Sequence, residues 1–121
     1  MKRLIVSIFA LVLVVAITIT NYFTVKNSTE KITNSVDIVV AEIDNKKDIE
    51  FYKEKIEKIW KEERYKLSFL VEHERFEILD ESMLRLKHAT DLESFKKECE
   101  HIKWFVNEIK SNEDLSLENV F

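Results

Sequence analysis

The chain has 121 residues, thirteen of them aromatic, and carries a net charge of −4 with no glycine, no proline and a single cysteine. Without glycine there is no phosphate-cradling loop, nucleophile elbow or dinucleotide fingerprint, because each needs a backbone that a Cβ would obstruct. One cysteine excludes an intrachain disulfide and a cysteine-based zinc site.

The first predicted element is the uncharged run that follows Lys2-Arg3 and extends from Leu4 to Val25. At 1.5 Å per residue, Leu4–Phe23 as a helix spans roughly 30 Å, the thickness of a bilayer's hydrocarbon core. A cleaved signal peptide is the competing reading, but it needs a shorter apolar segment and a small-x-small site. The Ile17-Thr18-Ile19 context does not provide one. Residues 1–25 are therefore expected to be a signal-anchor that inserts in the bilayer through residues 4–23. Lys2-Arg3 on the entry side favour a cytoplasmic N-terminus. Residues 26–121 are then an extracytoplasmic domain in the cell membrane's outer space. In that domain seventeen basic residues face twenty-three acidic ones, a net −6. This balance argues against nucleic acid as a partner.

With Gly and Pro absent and Lys, Glu, Ile and Leu abundant, the domain is expected to be all-α. The reading is an antiparallel bundle of about three helices with one long central helix. Helix one, Lys26 to Asn45, continues from the anchor and carries a stripe of Ile32, Val36, Val39 or Val40, and Ile43. A break follows at Asn45-Lys46-Lys47-Asp48, where Asp48 can cap the next helix and Glu50 sits in its first turn.

Helix two is expected to run unbroken from about Ile49 to Lys87, because no Gly, Pro or turn cluster interrupts Lys61–Arg85. Its early apolar residues (Ile49, Tyr52, Ile56, Ile59, Trp60, Leu67, Leu70 and Val71) fall on one face. The later ones (Tyr65, Phe69, Phe76, Leu79, Met83 and Leu86) fall on nearly the opposite face, so the helix should meet two partners in succession. A fold at His73 is the alternative. Glu74, Glu77, Glu81 and Arg85 read as a solvated face with Glu81 and Arg85 paired at i,i+4.

Thr90-Asp91-Leu92-Glu93 reads as a capping box opening helix three. The stripe Leu92, Phe95, Cys99, Ile102, Val106 and Ile109 follows, and the helix is expected to end near Ser111-Asn112.

Residues able to carry chemistry are few: His73 with Glu77, the Glu98-x-x-His101 pair, His88 and Cys99. A four-helix carboxylate metal site needs matching glutamates on further helices. These pairs alone therefore read as surface residues; no catalytic, cofactor or metal residue is assigned, and no enzyme activity is expected. Cys99 reads as a small buried hydrophobe, with an intermolecular disulfide as the alternative. Trp104 points about 140° away from the apolar stripe of its helix at ~100° per residue. With the terminal Val120 and Phe121 it forms the candidate interface, since Trp is enriched in binding hot spots. Asn27-Ser28-Thr29 matches a glycosylation acceptor, a pattern too frequent to weigh.

The layout resembles domain-of-unknown-function family 4363, small bacterial membrane-anchored proteins. The resemblance lies in the Met1-Lys2-Arg3-Leu4-Ile5 start, the Trp60 region, His73-Glu74 followed by Leu84-x-Leu86, Asp91-x-x-x-Phe95 and the terminal Ser116-Leu117-Glu118-Asn119-Val120-Phe121. It implies a helical extracytoplasmic domain with no assigned activity, and a partner in the same membrane. The leading expectation is a single-pass accessory protein that binds a membrane protein, or else a homo-oligomer. The alternatives are a sensor or ligand- or metal-binding module, and a coiled-coil divisome-type scaffold dimerising through helix two.

Overall fold

The computed structural model describes residues 1–46 and 48–120, with nothing stated of the side chains of Lys46 and Val120. Among these residues the chain is helical, in four elements: α1 (Lys2–Lys46), α2 (Ile49–Leu70), α3 (His73–His88) and α4 (Leu92–Val120). One helix, α1, is long and apolar enough to cross a membrane. The predicted anchor and helix one are one continuous rod, because no helix breaker stands between Leu4 and Asn45. Most of its apolar side chains from Leu4 to Ile19 are exposed, and a buried stripe begins at Val25, which is fully buried.

α1 packs against α2 and α4, and α3 packs against α2 and α4. The stripes Ile32, Val36, Val39 and Ile43 on α1 and Phe95, Cys99, Ile102, Val106 and Ile109 on α4 are all buried, as their spacing predicts. Burial of such side chains contributes about 1.5–3 kcal/mol each. Asp48 caps α2, its carboxylate accepting from the Phe51 N–H at 3.2 Å.

The paired side chains fix how the helices lie alongside one another. Glu42 meets the Tyr52 hydroxyl at 3.3 Å, and Ser28 and Lys31 meet Glu63 at 2.7 and 3.2 Å, so numbers fall along α1 as they rise along α2. Against α4 the same holds in steps of seven: Glu30 with Lys110 at 3.4 Å, Asp37 with Lys103 at 2.6 Å, and Asp44 with Lys96. An acidic heptad column thus faces a lysine heptad column. Each such surface pair is worth little alone, about 0.2–1 kcal/mol, but a slip of α4 by one turn would break all three.

Three expectations are corrected. The first concerns helix two, which is not one long central helix. Val71 and Glu72 are extended (φ −103°, ψ 147° and φ −51°, ψ 135°), dividing 49–87 into α2 and α3. The reason is tertiary. An unbroken helix would carry Phe76, Leu79, Met83 and Leu86 away from α2 and beyond the reach of the rest of the domain. Folding back buries all four, together with Val71, for the loss of a few exposed backbone hydrogen bonds worth about 1 kcal/mol each. The change of stripe is therefore a change of element. Tyr65 and Phe69 do not belong to either buried stripe; they are 72% and 71% exposed.

The second correction is the cap of α4. Asp91, not Thr90, holds it, its carboxylate accepting from the Ser94 N–H at 3.1 Å, and its hydrogen bonding to Ser94 holds the Asp91 carboxyl below its ordinary range. Asp91→Ala is expected to lower the urea unfolding midpoint, while Thr90→Ala leaves it where it is. The third correction is the end of α4, which runs on to Val120 instead of stopping near Ser111-Asn112. The added turns extend alongside the start of the buried part of α1, where Tyr22 hydrogen-bonds Asp114.

Candidate functional site: the groove between α2 and α3

Where α3 returns along α2, the two helices leave a groove of about 590 Å³. Its floor is Ile56 and Trp60 from α2 with Met83 and Leu86 from α3. These reach it from the two apolar stripes described above, and Leu84, 54% exposed, stands at its edge.

One end of the groove is closed by a polar knot. Asp80 accepts from the Trp60 indole N–H at 3.3 Å and from both Nε and Nη2 of Arg64 at 3.0 and 3.2 Å. The Arg64 guanidinium, through this hydrogen bond and its charge, holds the Asp80 carboxyl below its ordinary range against the opposing push of partial burial. Arg64 also lies 5.3 Å from the Phe76 ring centroid, and Phe76 stacks on Trp60 at 5.9 Å. A planar, always-charged guanidinium can make all these contacts at once, which a lysine could not. Towards the other end, Lys87 reaches Glu57 across the helices at 3.6 Å. The lining carries four basic residues (Lys53, Lys61, Arg64, Lys87) and four acidic ones (Glu57, Glu77, Asp80, Glu81), so the groove offers no net charge to an anion or a cation. It can cover apolar surface while pairing charges of both signs at its rim.

The residues singled out by sequence are dispersed. His73 and Glu77 meet at 2.9 Å on the exposed side of α3, and among the described residues no third ligand-bearing side chain joins them. Glu98 is paired with Arg85 at 3.5 Å, while His88 and His101 are exposed. Glu81 and Arg85 form the expected i,i+4 pair at 3.5 Å. Trp104 is 58% exposed on α4 and takes no part in the groove. Phe121 lies outside the described residues, as does the side chain of Val120.

Cys99 is fully buried in the core. Burial, with Glu98 and Glu100 nearby, pushes its thiol up to about 12, so almost no thiolate forms at neutral pH. Ellman's reagent is expected to leave the native chain unmodified and to react fully in denaturant. On non-reducing gels no thiol-sensitive dimer band is expected; such a band would show that Cys99 reaches the surface.

Sequence reasoning missed Asp80, the hinge of the knot, and Glu63, a carboxylate only 2% exposed. For Asp80 the one signal was an acid among the apolar positions Phe76, Leu79 and Met83. For Glu63 the signal was its position within the stripe Ile56–Trp60–Leu67, one turn beyond Trp60. The family described as Domain of unknown function (DUF4363) matches residues 19–120. No curated protein and no solved structure matches the chain.

Proposed function

The chain belongs to the DUF4363 family, a domain of unknown function, so we propose its role from its own geometry: a single-pass, membrane-anchored accessory protein that binds another protein. In this reading α1 crosses the cell membrane with its N-terminus in the cytoplasm. The remainder is an extracytoplasmic antiparallel bundle, and the α2–α3 groove receives a helical segment of a partner in the same membrane. The protein is not an enzyme in this reading.

The observation that carries the proposal is the groove itself. Leu84 stands open beside a floor of nearly covered Ile56, Trp60, Met83 and Leu86, edged by equal numbers of both charges; this suits an amphipathic helix that sets an apolar side chain against Leu84 and its polar flanks on the rim. Between Glu57 and Arg64 the groove runs for about 10 Å, roughly two turns of such a helix. A coiled-coil scaffold has less support, because the stripe of α2 that would dimerise is covered by α1 and α3. A metal module would have to be built on the His73–Glu77 pair alone.

A photo-crosslinking residue placed in turn at Leu84 and at Trp104, with Lys58 on the outer side of α2 as control, tests this in native membranes. One adduct of constant mass from Leu84 and none from Lys58 is the expected result. An adduct of twice the chain's own mass would instead make the groove a self-association surface. No adduct at Leu84 with one at Trp104 would overturn the groove in favour of the α4 face.

A further inference from the structure

Among the described residues, the two most exposed large apolar side chains outside α1 are Tyr65 and Phe69. They stand one turn apart on α2, their rings edge to face at 5.0 Å, on the side turned away from buried Ile56 and Leu67. Soluble helices seldom leave two adjacent aromatic rings this open without a partner. Their height in the molecule identifies what covers them.

Glu63 lies beside Ser28 and Lys31 of α1. Phe69 is six residues further along a helix running the opposite way, which sets it beside about residues 22–25 of α1 at 1.5 Å per residue. On α4, the Asp114–Tyr22 hydrogen bond sets Leu115, 57% exposed, at the same level, and Phe23 of α1, 52% exposed, joins them. The lipid-facing part of α1 must end below this level. Most of its apolar side chains are open as far as Ile19, whereas the Asp114 carboxylate at Tyr22 has to stay out of hydrocarbon. Phe23, Phe69 and Leu115 therefore share the level of the lipid headgroups, with Tyr65 one turn higher. This is the layer in which aromatic side chains are favoured. α1 is helical without interruption through this level, so it holds the base of the bundle against the bilayer instead of hanging it on a linker.

We propose that the base of the bundle is seated on the phospholipid headgroup layer of the outer leaflet, through Tyr65 and Phe69 of α2 and Leu115 of α4, with the bundle axis held along α1. This rests on the reading of α1 as a membrane span. It has a consequence for recognition. The α2–α3 groove is then held at a fixed, short height above the membrane, within reach of a partner's helix just as it leaves the bilayer.

The test uses the full chain in phosphatidylcholine vesicles at high lipid-to-protein ratio. An environment-sensitive fluorophore is placed in turn through Phe69→Cys, Phe51→Cys and Val12→Cys. The native thiol is buried and does not compete. Phe51 is the internal control: it is 52% exposed on the same side of α2 at the opposite end. A nitroxide on the lipid headgroup should quench the probe at position 69 several-fold more than the probe at 51. A nitroxide on the acyl chain should quench the probe at 12. Quenching at 12 with equal or no quenching at 69 and 51 would overturn the seating and leave the span standing. No quenching at 12 would remove the span and the seating with it. Weak quenching at 69 that rises only as the protein is diluted in lipid would assign Tyr65 and Phe69 to a second copy, which also overturns the proposal.

Discussion

Phe95→Ala is expected to remove about 3–5 kcal/mol of stability, the cost of emptying a fully enclosed aromatic site. Phe95 is fully buried at the start of α4. It stands in the first turn, where its N–H closes on the Asp91 carbonyl at 3.0 Å and the neighbouring Lys96 pairs with Asp44 of α1. Alanine would leave a cavity at the junction of α4 with the end of α1, and neither helix can collapse into it without breaking the heptad ladder of ion pairs. A domain of this size has about 5–15 kcal/mol in total, so the variant should lose a large share of its cooperative unfolding midpoint in urea. Trp104→Ala on the same helix provides the contrast. Trp104 is exposed, and its loss should change stability by about 0.5 kcal/mol at most. A large loss at Trp104 with a small one at Phe95 would mean that α4 presents the other face to the bundle.

The second large effect is expected at the buried pair between α1 and α2. Ser28, 1% exposed, donates to the Glu63 carboxylate at 2.7 Å, and Lys31 and Lys66 approach the same carboxylate at 3.2 and 3.5 Å. Ser28→Val leaves a desolvated carboxylate one hydrogen bond short and should cost about 1.5–3 kcal/mol. Ser28→Val combined with Glu63→Leu replaces the pair by apolar surface and should recover most of that loss. If the double variant is as unstable as the single ones combined, the two residues do not act as a pair.

The same site has a signature in pH. Burial pushes the Glu63 carboxyl up, but the Ser28 hydroxyl, Lys31 and Lys66 together outweigh it and hold it below its usual 4.5. The unfolded chain therefore binds more protons than the folded one in this window, so stability rises with pH there. The contribution of Glu63 is present above the usual carboxylate value and is lost as acid takes the pH down through the lowered one. Glu113 acts in the opposite sense: burial, with Asp114 adding to it, raises its carboxyl against the pull of Arg75. Comparing the natural chain with the Ser28→Val/Glu63→Leu variant cancels Glu113, and the variant should show the shallower loss of stability between neutral pH and the acid range.

Much of the architecture is legible because it is local. The stripes of α1 and α4 and the burial of Cys99 follow from which residues recur every three to four positions, and the Asp48 cap follows from a single acceptor side chain at the start of a helix. The acidic column Glu30, Asp37 and Asp44 and the lysine column Lys96, Lys103 and Lys110 are equally open to reading, since both recur at seven. They indicate which helix lies beside α1, but only when the two columns are considered together. The groove is less legible. Trp60 stands out by type, whereas Asp80 and Arg64 gain meaning only once α3 lies against α2.

The sequence by itself determined the helical class, the apolar segment able to cross a membrane, and the buried faces of α1 and α4, because periodicity and composition act within a few turns of chain. Only the tertiary structure decided that the stretch 49–87 divides at Val71–Glu72, that Glu63 is buried and that Tyr65 and Phe69 are left open. A straight and a folded helix differ there by a few backbone hydrogen bonds, a small local term. The choice falls to the much larger apolar area that α3 buries when it turns back, and that area exists only when the other helices are in place.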